Sequence, residues 1–192
     1  LGQDSLKRLL AWSSVAQAGY LLAGVVVASR LGAQATLFYL AGYGAMTLAA
    51  FAVVVARERE SEDGDSIESL AGIGSSRPLL AWPMTIAMLG LAGIPATVGF
   101  IGKFALIGAV ADGGYAWLGV VIVLGSAASL AYYLRVVAVI WRTDERDRPV
   151  LAPGGWEVTA VALLAAAATV LAGVLPNELM DLAREAARSL GL

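Results

Sequence analysis

Lys103 stands inside the apolar stretch GIPATVGFIGKFALIG, residues 93–108, eight residues after Pro95 and among glycines at 93, 99, 102 and 108. An ammonium at mid-bilayer costs at least ~2.5–3.5 kcal/mol on insertion scales, so a lysine there needs a partner, water or a task. The task open to it is proton exchange, because an amine can bind and release a proton where a guanidinium stays charged. Pro95 has no amide hydrogen, and Gly93 and Gly99 lower the cost of leaving helical geometry, so carbonyls near Leu91 and Ala92 are expected to lose their intrahelical partners. In hydrocarbon such groups must be satisfied by protein or water, and broken helices therefore line hydrated cavities in which an ionisable side chain survives. Gly99 and Gly102 would leave room beside the ammonium for water or a neighbouring helix. The competing reading is a structural charge paired with a buried acid.

Other polar residues ask the same question less sharply. Arg135 is the second ionisable side chain well inside an apolar segment, about two helical turns before Trp141, which suits snorkelling or a structural pairing. DSLKRLLAWSSVAQAGYLL places Lys7 and Arg8 at an entrance, where Lys7 could anchor the helix or feed a hydrated path. Ser13, Ser14 and Gln17 follow within about one turn, as interhelical hydrogen-bonding groups or as supports for a water chain. Tyr132 and Tyr133 read as packing residues ahead of relay members.

The elements that must carry these residues are membrane helices. The chain has 192 residues, 59% hydrophobic and 15% charged, with a mean hydropathy of +0.76. It has neither cysteine nor histidine, which excludes disulfides, thiolate metal sites, histidine-ligated haem and Ser/His or Cys/His catalysis. No metal site is expected. Five apolar segments approach the roughly 20 residues that a spanning helix needs. They run over about 6–27, 33–56, 79–111, 116–141 and 158–175, the third too long for one straight span and broken near 93–96. Residues 1–176 thus read as a single all-α transmembrane domain. The tail 177–192, with Leu179, Leu182, Ala183, Ala186 and Leu190 at helical spacing, reads as a short amphipathic helix on a surface. The chain lacks an initiating Met and enters a span at once, so it reads as part of something longer.

Charge sets the orientation. Lys7, Arg8, Arg57, Arg59, Arg77, Arg142, Arg146 and Arg148 fall on one side if the helices alternate, against Arg30 alone in the short loops opposite. The positive-inside rule makes the first side cytoplasmic and the tail external. The segment SEDGDSIESLAGIG, residues 61–74, should lie along the cytoplasmic interface, with the acidic run from Glu58 to Glu68 a solvated loop or a docking surface.

Two stretches together carry a family resemblance. LKRLLAWSSVAQAGYLLAGV resembles the pattern LKRLLAYSSIAHAGYLL, and GLAGIPATVGFIGKF resembles SLAGIPPTAGFIGKF, both of the antiporter-like membrane subunit N of respiratory complex I. YGAMTLAAFAVVV and SLAYYLRVVAVIW look like further helices of that family in the right order, so the resemblance covers essentially the whole chain. The related subunit M typically has a glutamate where this chain has Lys103. The chain looks like the last five spanning helices of such a subunit, including its second broken helix. Carried over, Lys103 matches the lysine of the broken helix and Lys7 that of the entrance motif, both as proton-relay residues. The family's histidine falls at Gln17, which cannot titrate, its LAY tyrosine at Trp12, and the second proline of its pair at Ala96.

The resemblance implies a proton-translocating membrane-arm subunit of an NADH:quinone oxidoreductase, contributing a half-channel centred on Lys103, with no redox centre in this chain. It implies other complex I membrane subunits as partners and the lipid bilayer as surroundings, in the plasma membrane of a bacterium, with protons transported and no nucleic acid bound. A stand-alone cation/proton antiporter and a non-conducting structural subunit are the alternatives.

Overall fold

The computed structural model describes residues 2–61, 63–143 and 155–190. Arg146 and Arg148, used in the charge count, and the last two residues of the tail lie outside them. Helix α1 spans Leu6–Val26 and begins where the Ser5 side chain accepts from Arg8 N at 3.1 Å. Helix α2, Arg30–Glu60, is longer at both ends than the apolar run alone suggests. Ser29 caps its start by accepting from Gly32 N, and Arg57 and Glu60, paired and buried, carry its last turn beyond the apolar stretch.

A 3-10 turn at Ile67–Leu70 and the short α3, Ile73–Ser76, lead to α4, Pro78–Ala92, whose first position suits a proline because that amide has no helical acceptor. After the break come α5, Val98–Asp112, then α6, Ala116–Trp141, α7, Trp156–Val174, and α8, Asn177–Ser189. Among the described residues four helices, α1, α2, α6 and α7, are individually long and apolar enough to cross a membrane. With 15 residues each, α4 and α5 are each too short for a ~30 Å hydrocarbon core at about 1.5 Å per residue, and make one crossing only as a pair.

The hub is α2, which packs against α1, α4, α5, α7 and α8. Its small buried residues Ala49, Ala50, Ala52 and Ala56 let neighbouring backbones come close, the usual solution where lipid removes any hydrophobic drive between helices. Large apolar side chains such as Trp12, Leu22, Leu124, Leu164 and Leu171 point outward, as hydrocarbon contact allows. On α8, Ala183 and Ala187 are buried while Leu182 and Leu190 are exposed. The amphipathic tail is therefore docked through a small-residue stripe.

Candidate functional site

The break between α4 and α5 is built from left-handed residues at both ends. Gly93 takes φ +86°, and its amide turns back to Leu89 O and Gly90 O while Ile94 N also reaches Leu89 O at 3.0 Å. This closes α4 in a Schellman-like cap. Ala96 takes φ +68°, where a Cβ is strained. Thr97 then caps α5, donating to Ile94 O at 2.7 Å and accepting from Phe100 N. The cap uses the carbonyls of Leu89 and Gly90. Those of Leu91 and Ala92 are left for side chains.

Lys103 takes them. Only 5% exposed, it donates from Nζ to Leu91 O at 2.8 Å and to Ala92 O at 3.3 Å, and its Nζ lies 5.4 Å from the centre of the Tyr20 ring. Its stem runs past Gly93, where an added Cβ would lie 3.2 Å from Lys103 Cδ. Gly93 thus serves both the left-handed turn and the passage of the lysine. Among the described residues no carboxylate forms an ion pair with Lys103.

A polar column extends from the same carbonyl. Gln17 Nε2 donates to Leu91 O and to Tyr133 Oη, both at 3.4 Å, while its Oε1 accepts from Tyr39 Oη at 2.5 Å. Tyr133 and Ser13 share a short hydroxyl–hydroxyl hydrogen bond. Lys103, Leu91 O, Gln17, Tyr133 and Ser13 therefore form a continuous buried chain of polar contacts from α5 to the first half of α1. Tyr133, read from sequence as packing, is a member of it. Tyr132 packs at a tilt against Tyr133, ring centres 4.4 Å apart and planes inclined by 56°, and faces a cavity between α1 and α6.

Several expected residues sit elsewhere. Ser14 is turned to Leu10 O at 2.9 Å and receives Tyr43 Oη at 2.7 Å, a separate contact. Lys7 pairs with Glu58 at 2.5 Å on the exposed rim. Arg135 reaches the segment before α1, binding Asp4 at 2.8 Å and Gln3 O at 3.0 Å, so it is an end-of-helix pairing. The spaces at Gly99 and Gly102 are filled by neighbours: an added Cβ at 99 would strike the Gly90 backbone, and one at 102 the Tyr39 ring. They allow helix approach, with no room left there for water.

The acidic run is neither a free loop nor an open docking face. Glu60, fully buried, receives Arg57 at 2.6 Å and Arg77 at 2.5 Å, while Arg57 also donates to Ser69 O. Asp65 accepts from Ser5 Oγ and Lys7 N, and Glu68 pairs with Arg142 at 2.5 Å. These bonds tie together the start of α1, the end of α2, the start of α4 and the end of α6. Sequence patterning missed Tyr20, Tyr39 and this ionic cluster. Tyr20 follows Gln17 by three residues, the spacing of one helical face, and is the signal that could have found it.

Comparison with known proteins decides the family. Residues 1–129 match the family described as NADH:quinone oxidoreductase/Mrp antiporter, TM. The chain belongs to that family. It is 39% identical to NADH-quinone oxidoreductase subunit N of Trichlorobacter lovleyi over 98% of this chain and 39% of that protein's length. It is 42% identical to subunit N of Salinispora arenicola over 96% of this chain and 36% of that one. The chain thus spans about two fifths of the relatives it matches. Among solved structures, a chain of respiratory complex I from Thermus thermophilus with bound aureothin superposes with TM-score 0.80 and 33% identity, over 94% of this chain and 40% of that one. A chain of the Mrp complex from Dietzia sp. superposes with TM-score 0.84 and 25% identity, over 97% and 43%. The membership makes this an all-helical, multi-pass membrane protein of the antiporter-like class.

Proposed function

We propose that this chain forms a proton-conducting unit in the membrane arm of an NADH:quinone oxidoreductase, working beside other membrane subunits, with Lys103 as the group that takes up and releases the proton. The reading is carried by one observation: a buried lysine held by backbone carbonyls and an aromatic face, with no carboxylate pairing with it among the described residues. A structural ammonium needs a counter-charge to repay its desolvation. A relay amine needs a site that tolerates both its forms, and carbonyls freed by a helix break, together with the Gln17–Tyr133–Ser13 column, provide one. Lys7, paired with Glu58 on the rim, acts as the entrance residue, and the ionic face that gathers it is the cytoplasmic one. On this reading the redox chemistry belongs to other subunits, and this chain has no cysteine or histidine with which to ligate a metal centre.

The test is proton pumping per electron in reconstituted vesicles, normalised to assembled complex. Lys103→Ala and Lys103→Arg should both lose it, the arginine because a guanidinium stays protonated and cannot release. An arginine variant pumping at the parental level would refute the relay. The likeness to the Mrp structure favours a second reading, a cation/proton antiporter. Sodium-dependent transport from a preparation without NADH oxidation would select it.

A further inference from the structure

Between α1 and α6 lies a cavity of about 400 Å³, walled by Leu9, Trp12 and Ala16 on one side and Ala128, Ser129 and Tyr132 on the other. At ~30 Å³ per molecule of liquid water it has room for several waters, and Ser129 and Tyr132 offer them hydroxyl partners. Tyr20 also lines it. The ring itself is almost fully buried, lies 5.4 Å from Lys103 Nζ, and carries its hydroxyl into the space left by Gly125, where an added Cβ would stand 2.6 Å from Tyr20 Oη. One aromatic side chain thus touches both the buried amine and the cavity.

We propose that Tyr20 is a positioning residue that holds the Lys103 ammonium against the helix break and closes it off from the α1–α6 cavity, which becomes a second water route to the amine when the ring moves aside. The reasoning rests on the relay reading of Lys103. Attraction between a ring face and a cation exists only while the lysine is protonated, so the closed arrangement belongs to the charged form. When the proton leaves, that attraction disappears, and only packing and the hydroxyl's polar contacts with Ser126 and Ser129 hold the ring. The cavity is where the displaced side chain and water can go. A proton arriving by that water binds the free amine, restores the cation and draws the ring back. Access from the α6 side is thereby tied to the charge on Lys103, which a fixed pore would not achieve.

The experiment reads access to the amine directly, in the assembled membrane complex, by brief acetylation with acetic anhydride and peptide mass spectrometry. Lys7 and Lys103 are the only lysines in the sequence, and Lys7, on the exposed rim, is the internal reference. Tyr20→Leu should raise the Lys103/Lys7 labelling ratio by roughly 5- to 30-fold, the factor expected for losing a buried cation–π contact. Tyr20→Phe keeps the ring and should label like the parent. Filling the cavity with Ala128→Trp in the Tyr20→Leu background should return the ratio toward the parental value. Equal labelling of parent and Tyr20→Leu overturns the proposal, and so does a ratio that stays high after the cavity is filled. If Tyr20→Leu does not assemble, Gly125→Ala displaces the ring without deleting it, and the same rise is required. The labelling needs no pumping, so its failure is distinct from that of the relay: Lys103→Arg pumping normally would remove the relay alone.

Discussion

Two buried charge sites in this chain are built on opposite principles. At the loop face Glu60 is sealed between Arg57 and Arg77, so the desolvation of each charge is repaid by its partners. In the span, Lys103 is sealed to the same degree, yet its oxygens are the neutral carbonyls of Leu91 and Ala92. The first arrangement works only with every charge present. On the relay reading the second tolerates the loss of its charge, because neutral carbonyls still accept from a neutral amine and no counter-ion is left unpaired. If Lys103 is the proposed relay, the contrast is that of a clamp and a switch, and it can be broken from either side.

The largest effect should come from the clamp. Glu60→Ala strands two arginines and should cost about 3–5 kcal/mol, the usual toll of removing one partner from a buried pair. The check is the yield and thermal denaturation of the assembled complex, with pumping per surviving complex near parental. Lys103→Ala should show the reverse pattern: pumping abolished, with thermal stability altered by less than Glu60→Ala, since no paired acid is stranded. If Lys103→Ala unfolds the protein as severely, the contrast between the two sites is lost.

Gln17→Leu should sharpen the picture by cutting the column at its junction. It leaves the Tyr39 hydroxyl without its acceptor, at about 1–3 kcal/mol, and Tyr133 with Ser13 alone, and should slow pumping while Lys103 keeps its two carbonyls. Gln17→His, which can still bond both neighbours, should recover the rate lost in Gln17→Leu, measured in the same vesicle assay. Ala96→Gly should have the smallest effect. Relieving a left-handed alanine should stabilise the break by up to roughly 1 kcal/mol, seen as a small upward shift in melting temperature with transport unchanged.

Much of this was written in the chain. Apolar length decides where spans lie, since a helix rises by a constant step per residue, and α1, α6 and α7 fall close to their expected limits. The break at 93–96 and the freed carbonyls of Leu91 and Ala92 follow from the backbone chemistry of glycine and proline, which is local and therefore legible. What could not be read is every choice between partners distant in sequence. Gln17 and Tyr133 are 116 residues apart, and only the packing of α6 on α1 turns a tyrosine that looked like filler into a hydrogen-bonding member of the column. Likewise the distance of Arg135 from its helix end suggests snorkelling or a pairing and that of Lys103 does not, but neither partner can be named from sequence. Helix depth and rotation send the first to Asp4 at the rim and the second to the break. The acidic run between α2 and α4 reads as solvated until its neighbours are in place. Sequence sets which groups exist and how the backbone bends beside them. Tertiary structure alone decides which charge meets a counter-ion and which meets only dipoles, because that pairing depends on distances of a few ångströms between helices that no local pattern encodes.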